Sequence, residues 1–203
     1  MSDHYYTNKP QSSHELKEIT ATVGKHTLRL TTDSGVFSKN RMDFGSKLLA
    51  EKFLETQQLD EKSSLLELGS GYGPLILSVA CHFPNATYTG VELNERALEL
   101  AKKNTELNQV PAINWLQADV TELFLEANYD IVLTNPPIRA GKQVIRTFVE
   151  KAYAALKSSG ELWVVIQKKQ GAPSAEKRIE ELFGNVEVVI KKKGYAILRA
   201  VNV

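Results

Sequence analysis

"LLELGSGYGPLILSVA", from Leu65 to Ala80, runs an apolar strand into three alternating glycines and then into an apolar stretch opened by Pro74. A strand apolar on both faces belongs in a sheet covered on both sides. Glycine at positions 69, 71 and 73 gives the turn access to positive φ and lets a ligand approach the backbone with no Cβ in the way. Proline suits the first turn of the helix that follows. Strand, glycine loop and helix in that order put a ligand crevice at the carboxyl end of a parallel strand.

The same alternation continues downstream. Strands are predicted at 65–69, 87–93 ("TYTGVEL"), 113–119 ("INWLQAD"), 129–135 ("YDIVLTN"), 161–168 ("ELWVVIQK"), 186–192 and 195–201. Helices are predicted at 74–83, 94–108, 142–156 and 174–183. Repeated β-α units predict an α/β, doubly wound, Rossmann-like sheet of seven strands. The last two strands are joined only through Lys193-Gly194, too short for a parallel crossover, so the last strand should be antiparallel. Upstream, residues 18–33 alternate apolar and polar around Gly24-Lys25 and predict an N-terminal β-hairpin extension. A loop then leads into a helix with Leu48, Leu49, Phe53 and Leu54 on one face.

Composition narrows the class. The chain has 203 residues, 42% of them hydrophobic and 24% charged, enough for one soluble domain with a core of its own. The single cysteine, Cys81, excludes an internal disulfide and is expected as a small buried hydrophobe, and with four histidines no metal cluster is expected. Trp115 and Trp163 fall within strands and are expected in the core. No signal peptide or membrane span is legible, so a cytoplasmic protein is expected. Lys and Arg total 25 against 24 acids, a net charge of +1, so only a local basic patch could favour nucleic acid.

The glycine spacing is G-x-G-x-G, not the G-x-G-x-x-G of dinucleotide enzymes, which disfavours a nicotinamide dehydrogenase. Glu92 lies about twenty residues past the loop, at the end of the next strand, where a carboxylate can accept both hydroxyls of a ribose. Asp119 closes the third strand and can accept from an adenine amino group.

"ELGSGYG", "GVELNERALELAKKN", "QADV" and "NPP" follow in this order and resemble the motifs of class I S-adenosylmethionine-dependent methyltransferases. The resemblance implies that Glu67, Gly69, Ser70, Gly71 and Gly73 hold the methionine end of S-adenosyl-L-methionine. It implies Glu92 with Leu93 at the ribose and Asp119 with Val120 at the adenine. Residues 46–203 would then form the class I methyltransferase domain, and residues 1–45 an extension carrying the hairpin and a cofactor-mouth loop.

The fourth strand ends at Asn135-Pro136-Pro137, in the same crevice and so beside the reactive methyl. An exocyclic amine or carboxamide nitrogen is a poor nucleophile because its lone pair is delocalised. Two acceptors on its N–H groups can aim that lone pair and favour the developing positive charge. The Asn135 side-chain oxygen and the Pro136 carbonyl are the candidates, with both prolines stiffening the turn and adding no competing N–H.

"DSGVFSKNRMDFGSKLL", "NPPIRAGK" and "QGAPSAEK" extend the resemblance to the small-domain family of ribosomal RNA guanine-N2 methyltransferases, in particular the C-type enzymes of the small subunit. The implied partner is ribosomal RNA or the small ribosomal subunit, with no membrane and no metal. Phe37, Asp43, Phe44 and Gly45 are implied at the mouth of the site. Ile138 stands where amine methyltransferases often carry an aromatic. Arg139, Lys142 and Arg146 are expected to meet phosphates, with Lys168, Lys169 and Lys191-Lys192-Lys193 adding to that face. Two-lobed family members carry a second, degenerate copy of the domain. A glutamine-N5 protein methyltransferase, an adenine-N6 methyltransferase and a non-catalytic RNA-binding assembly module are the alternatives.

Overall fold

The computed structural model describes residues 13–137 and 141–203, without the side chain of Lys142. Strands β1 (Lys17–Val23) and β2 (His26–Thr32) form the antiparallel hairpin, followed by helix α1 (Phe44–Thr56). Then come β3 (Ser64–Leu68), α2 (Pro74–His82), β4 (Thr87–Glu92), α3 (Glu95–Leu107), β5 (Ile113–Gln117) and β6 (Tyr129–Thr134). The chain ends with α4 (Lys142–Ala155), β7 (Leu156–Gln167), a 3-10 turn at Lys168–Gln170, α5 (Ala172–Phe183), β8 (Glu187–Lys192) and β9 (Tyr195–Val201).

The second sheet has seven strands in the order β5-β4-β3-β6-β7-β9-β8. Its β5, β4, β3, β6 and β7 pair in parallel, and β9 runs antiparallel to both of its neighbours. Lys193 and Gly194 both sit at positive φ, the backbone that a two-residue hairpin between β8 and β9 demands. Successive strand residues feed opposite faces. Leu65 packs with α1, α2 and α3, and Leu66 packs with α4 and α5. The sheet is doubly wound, with its reversal of strand order between β3 and β6, where Gly69–Gly73 and Asn135 emerge side by side.

Three local features depart from the sequence reading. Strand β7 begins at Leu156, not at Glu161. Leu156 pairs with Tyr129 and regular pairing resumes only at Glu161 with Ile131, so "KSSG" is absorbed as a bulge with Ser159 at φ 65°. Cys81 is half-buried against the core, and burial pushes its thiol pKa up. Trp163 is fully buried, whereas Trp115 is partly buried and donates from Nε1 to Thr105 Oγ1 at 3.2 Å.

The hairpin is tied to α3 by amide side chains. Asn104 accepts from the Thr31 N–H at 2.7 Å and donates to the Thr31 carbonyl at 3.0 Å. One helical turn on, Asn108 does the same with Arg29, at 2.9 and 2.7 Å. Four helical residues advance about 6 Å and two strand residues about 6.7 Å, so two asparagines on one helix face match alternate residues of a strand. The free edge of β2 is thereby paired with side chains.

Asn104 is fully buried and also donates to the Tyr72 carbonyl at 3.0 Å, so Asn104→Ala strands three buried backbone groups. A loss of about 2–4 kcal/mol in urea unfolding is expected, against about 1 kcal/mol or less for Asn108→Ala, whose partners water can reach.

Candidate active site

A cavity of about 460 Å³ opens at the carboxyl ends of the parallel strands. Phe37, Asp43, Glu67, Gly69, Ser70, Gly71, Glu92, Leu93, Asp119, Val120, Asn135, Pro136 and Pro137 all line it. Gly73 does not. It is the left-handed N-cap of α2, at φ 88°, and a Cβ there would lie 3.1 Å from Leu77 and 3.2 Å from Trp115. Phe44 does not either. At the start of α1 it stands against Tyr195, ring centroids 5.5 Å apart, with the Lys193 ammonium 5.2 Å from its ring centroid. Ile138 and Arg139 lie outside the described residues, as does the side chain of Lys142.

The glycine loop is fixed from β4. The N–H groups of Gly69 and Ser70 both reach the Val91 carbonyl at 2.9 Å, and that of Gly71 donates to Glu92 Oε2 at 2.8 Å. At φ 57° and with nothing within 4 Å of the place a Cβ would take, Gly71 presents bare backbone to the cavity. The other Glu92 oxygen, Oε1, accepts from Asn94 N at 2.8 Å. Burial pushes the Glu92 carboxyl up from its ordinary value, and the amides of Asn94, Gly71 and Leu93 pull it back. A carboxylate has about four acceptor positions, so three amides still leave room for a ligand hydroxyl.

Glu67 is more deeply buried still and accepts from the Ile76 N–H, in the first turn of α2, at 3.1 Å. Burial pushes its pKa well above the usual carboxylate range, the Ile76 amide opposes this, and the nearby Glu92 adds to the rise. Asp119 holds the Thr121 amide and hydroxyl through Oδ1 alone, at 2.8 and 2.7 Å.

Asn135 follows β6. Its Nδ2 donates to Asp43 Oδ2 at 3.1 Å and to Ser46 Oγ at 2.9 Å. An ionised carboxylate can only accept, so the nitrogen end of the amide must face Asp43 and the Oδ1 end is left as an acceptor. Asp43 is at the same time the N-cap of α1, taking the Ser46 N–H at 3.0 Å. The loop carrying Phe37 and Ser38 is braced around this point. Tyr72 Oη donates to the Ser38 carbonyl at 3.3 Å, Asn94 Nδ2 to Gly35 O at 3.0 Å and Thr32 Oγ1 to Lys39 O at 2.6 Å.

The family model of the methyltransferase small domain matches residues 27–199. The chain belongs to the methyltransferase small-domain family. Within that family it is 45% identical to the uncharacterized protein YbxB of Bacillus subtilis, over 100% of both chains. It is 31% identical to a ribosomal RNA large subunit methyltransferase G of Shewanella baltica, over 91% of this chain and 49% of that one. A T. thermophilus 16S rRNA N2 methyltransferase, solved in complex with AdoMet and guanosine, superposes with a TM-score of 0.82 at 30% identity, over 96% of this chain and 52% of that one. The chain thus spans all of YbxB and about half the length of the two ribosomal RNA enzymes. Among the described residues no helix is long and apolar enough to cross a membrane, and no cluster of three metal-ligating side chains occurs.

Sequence reasoning missed Ser46, Tyr72, Phe148, Gln167, Gln170 and Tyr195, all of which line this small-domain cavity. Ser46 was within reach of a capping argument, since it stands three residues after Asp43 at the start of an apolar helical pattern. Tyr72 lay within the quoted glycine motif, and the others depend on how distant segments pack together.

The floor beneath the glycine loop is closely packed. A Cβ on Gly90 would fall 2.3 Å from the Trp115 ring and 3.0 Å from Ser70 Oγ. Gly90→Ala is expected to cost about 1–3 kcal/mol as an overpacked site. Urea unfolding followed by tryptophan fluorescence measures it, with a changed native emission reporting the displaced indole.

Proposed function

We propose that this chain transfers a methyl group from S-adenosyl-L-methionine to the exocyclic N2 amine of a guanine in small-subunit ribosomal RNA. The observation that carries the reading is the fixed amide of Asn135. With Nδ2 held by Asp43 and Ser46, Oδ1 is left as an acceptor, and Asn135 and Pro136 both line the cavity.

The residues fit the cofactor. Bare backbone at Gly71 admits a ligand at contact distance, and Glu92 and Asp119 offer spare acceptor capacity at the ends of adjacent strands. Glu67, Gly69, Ser70 and Gly71 are assigned to the methionine end, with Gly73 shaping the turn from outside the cavity, Glu92 and Leu93 to the ribose, and Asp119 and Val120 to the adenine. When bound, S-adenosylmethionine supplies an electrophilic methyl on a sulfonium. Asn135 Oδ1 and the Pro136 carbonyl hold the two N–H groups of the acceptor amine, which turns its lone pair toward that methyl. As the nitrogen becomes positive its N–H donors strengthen, so both acceptors contribute more in the transition state than in the ground state. The extra proton then leaves from the amine to solvent.

Support for an RNA acceptor comes from the relatives named above and from exposed basic residues. Arg146, Lys168, Lys169, Lys191, Lys192 and Lys193 are exposed, and none joins an ion pair among the described residues. The Lys168 N–H donates to Gly194 O at 2.7 Å, which brings Lys168, Lys169 and Lys193 to one edge of the cavity.

Gly71→Asp puts a charged side chain where the ligand carboxylate must lie, and calorimetry should show S-adenosylmethionine binding to the wild type and none to this variant. Undiminished binding would remove the cofactor assignment of the loop.

Asn135→Ala should keep cofactor affinity within a few-fold and cut kcat by roughly a hundredfold, on the scale of a lost transition-state acceptor. Asp43→Asn should lower kcat by roughly tenfold at unchanged KM, because an asparagine there no longer dictates which end of the Asn135 amide faces it. Nucleoside mass spectrometry of the labelled product should find the methyl on guanine N2. Label on adenine N6, or on glutamine of a protein, would replace this acceptor.

A further inference from the structure

In sheet order, the strand ends that feed the cavity form a row. Asp119 follows β5, Glu92 ends β4, the glycine loop follows β3, Asn135 follows β6, Gln167 ends β7 and Tyr195 begins β9. Strands stand about 4.8 Å apart, so the row extends across five intervals, or about 24 Å. The residues assigned to the cofactor occupy the β5, β4 and β3 side of Asn135. On its other side stand Gln167 and Tyr195.

These two are direct cross-strand partners in the β7–β9 ladder, so their side chains leave the same face of the sheet, and both line the cavity. Such partners have Cβ atoms about 5 Å apart. The first turn of α1 holds the tyrosine ring. Phe44 backs it at a ring tilt of 53°, and Gly45 lets it lie so close that a Cβ there would fall 2.9 Å from Cε1. That turn also carries Asp43 and Ser46, which set the Asn135 amide. One helical turn therefore fixes the amine acceptor and an aromatic ring beside it.

We propose that Tyr195 and Gln167 form the wall that receives the acceptor base, the ring as a stacking platform and the amide as a hydrogen-bond partner for the base edge. This rests on the reading of the chain as a methyltransferase of a nucleobase amine. A base taken out of its stack loses the contact of its neighbours, and an aromatic side chain replaces it. A primary amide offers a donor and an acceptor side by side, the pattern that complements the 6-oxygen and N1–H of guanine next to its N2 amine. The ring also supplies an aromatic surface from β9, independent of the aliphatic at position 138.

The test uses the full chain, small-subunit ribosomal RNA transcript and methyl-labelled S-adenosylmethionine, with cofactor binding measured separately by calorimetry. Tyr195→Ala is expected to raise the KM for RNA tenfold or more, the scale of one lost base–aromatic stack, with cofactor Kd within twofold. Tyr195→Phe should restore most of that loss and Tyr195→Leu should not, because leucine fills space without a flat π surface. Gln167→Ala should lower kcat/KM tenfold or more, and Gln167→Glu should fail to rescue it, since an acceptor-only group opposes the 6-oxygen. Leucine performing as well as phenylalanine would reduce Tyr195 to packing and overturn the proposal. So would a loss of cofactor affinity in place of RNA affinity. Wild type that labels guanine while both alanine variants keep its KM would overturn this proposal and leave the proposed function standing. Wild type that binds cofactor and labels no nucleobase would overturn both.

Discussion

A carboxamide has two ends of nearly the same shape and opposite hydrogen-bond sense, so which end Asn135 turns to the cavity decides whether it offers a donor or an acceptor there. Nothing within Asn135 decides that. Asp43 decides it, because a carboxylate has no proton to offer and must take the nitrogen end, and Ser46 adds a second partner on the same atom. Asp43 is in turn fixed by capping α1 through the Ser46 N–H. Helix start and the Asn135 amide are thus oriented by one side chain, so the polarity of this wall is set by a helix cap.

The two buried glutamates show the same economy. Each sits near the end of a parallel strand where burial raises its pKa, and backbone N–H groups oppose that rise without cancelling it: those of the glycine loop and the start of α3 at Glu92, that of the first turn of α2 at Glu67. A helix N-terminus carries orphan donors and partial positive charge, so a carboxylate there is stabilised by the fold itself. The cavity can therefore hold acidic groups at about 2% and 9% exposure with no basic partner among the described residues hydrogen-bonded to them.

What was legible in the sequence was what is local along the chain. The glycine loop, the strand-end acids, the Asn-Pro-Pro turn and the two-residue turn at Lys193-Gly194 each declare themselves within a few residues. Strand β9 lies between β7 and β8, and only that insertion sets Tyr195 opposite Gln167, so no reading of either segment alone could pair them. Phe44 misled for a related reason. Its motif neighbours Asp43 and Ser46 face the cavity, but consecutive helical residues point about 100° apart, and Phe44 turns toward Tyr195. The bulge at 156–160 hid because "KSSG" has the composition of a loop, and its pairing depends on Asn202 accepting the Ser159 N–H and donating to Gly160.

The hairpin looked in sequence like an attachment, and its geometry says otherwise. The loop of residues 33–43 that carries Phe37 and Ser38 leaves β2 at one end and enters α1 at the other. At the α1 end Asp43 fixes it. At the β2 end the fixing falls to Thr31, whose backbone is held by Asn104 from α3, and to Asp33, which accepts from the Glu15 and Ser34 amides. Asn104 also donates to the carbonyl of Tyr72, the residue between Gly71 and Gly73. A single buried amide thus joins the edge of the hairpin to the glycine loop. Loosening that amide would shift both walls together, so the distance between the mouth loop and the ligand-binding turn is a property of α3.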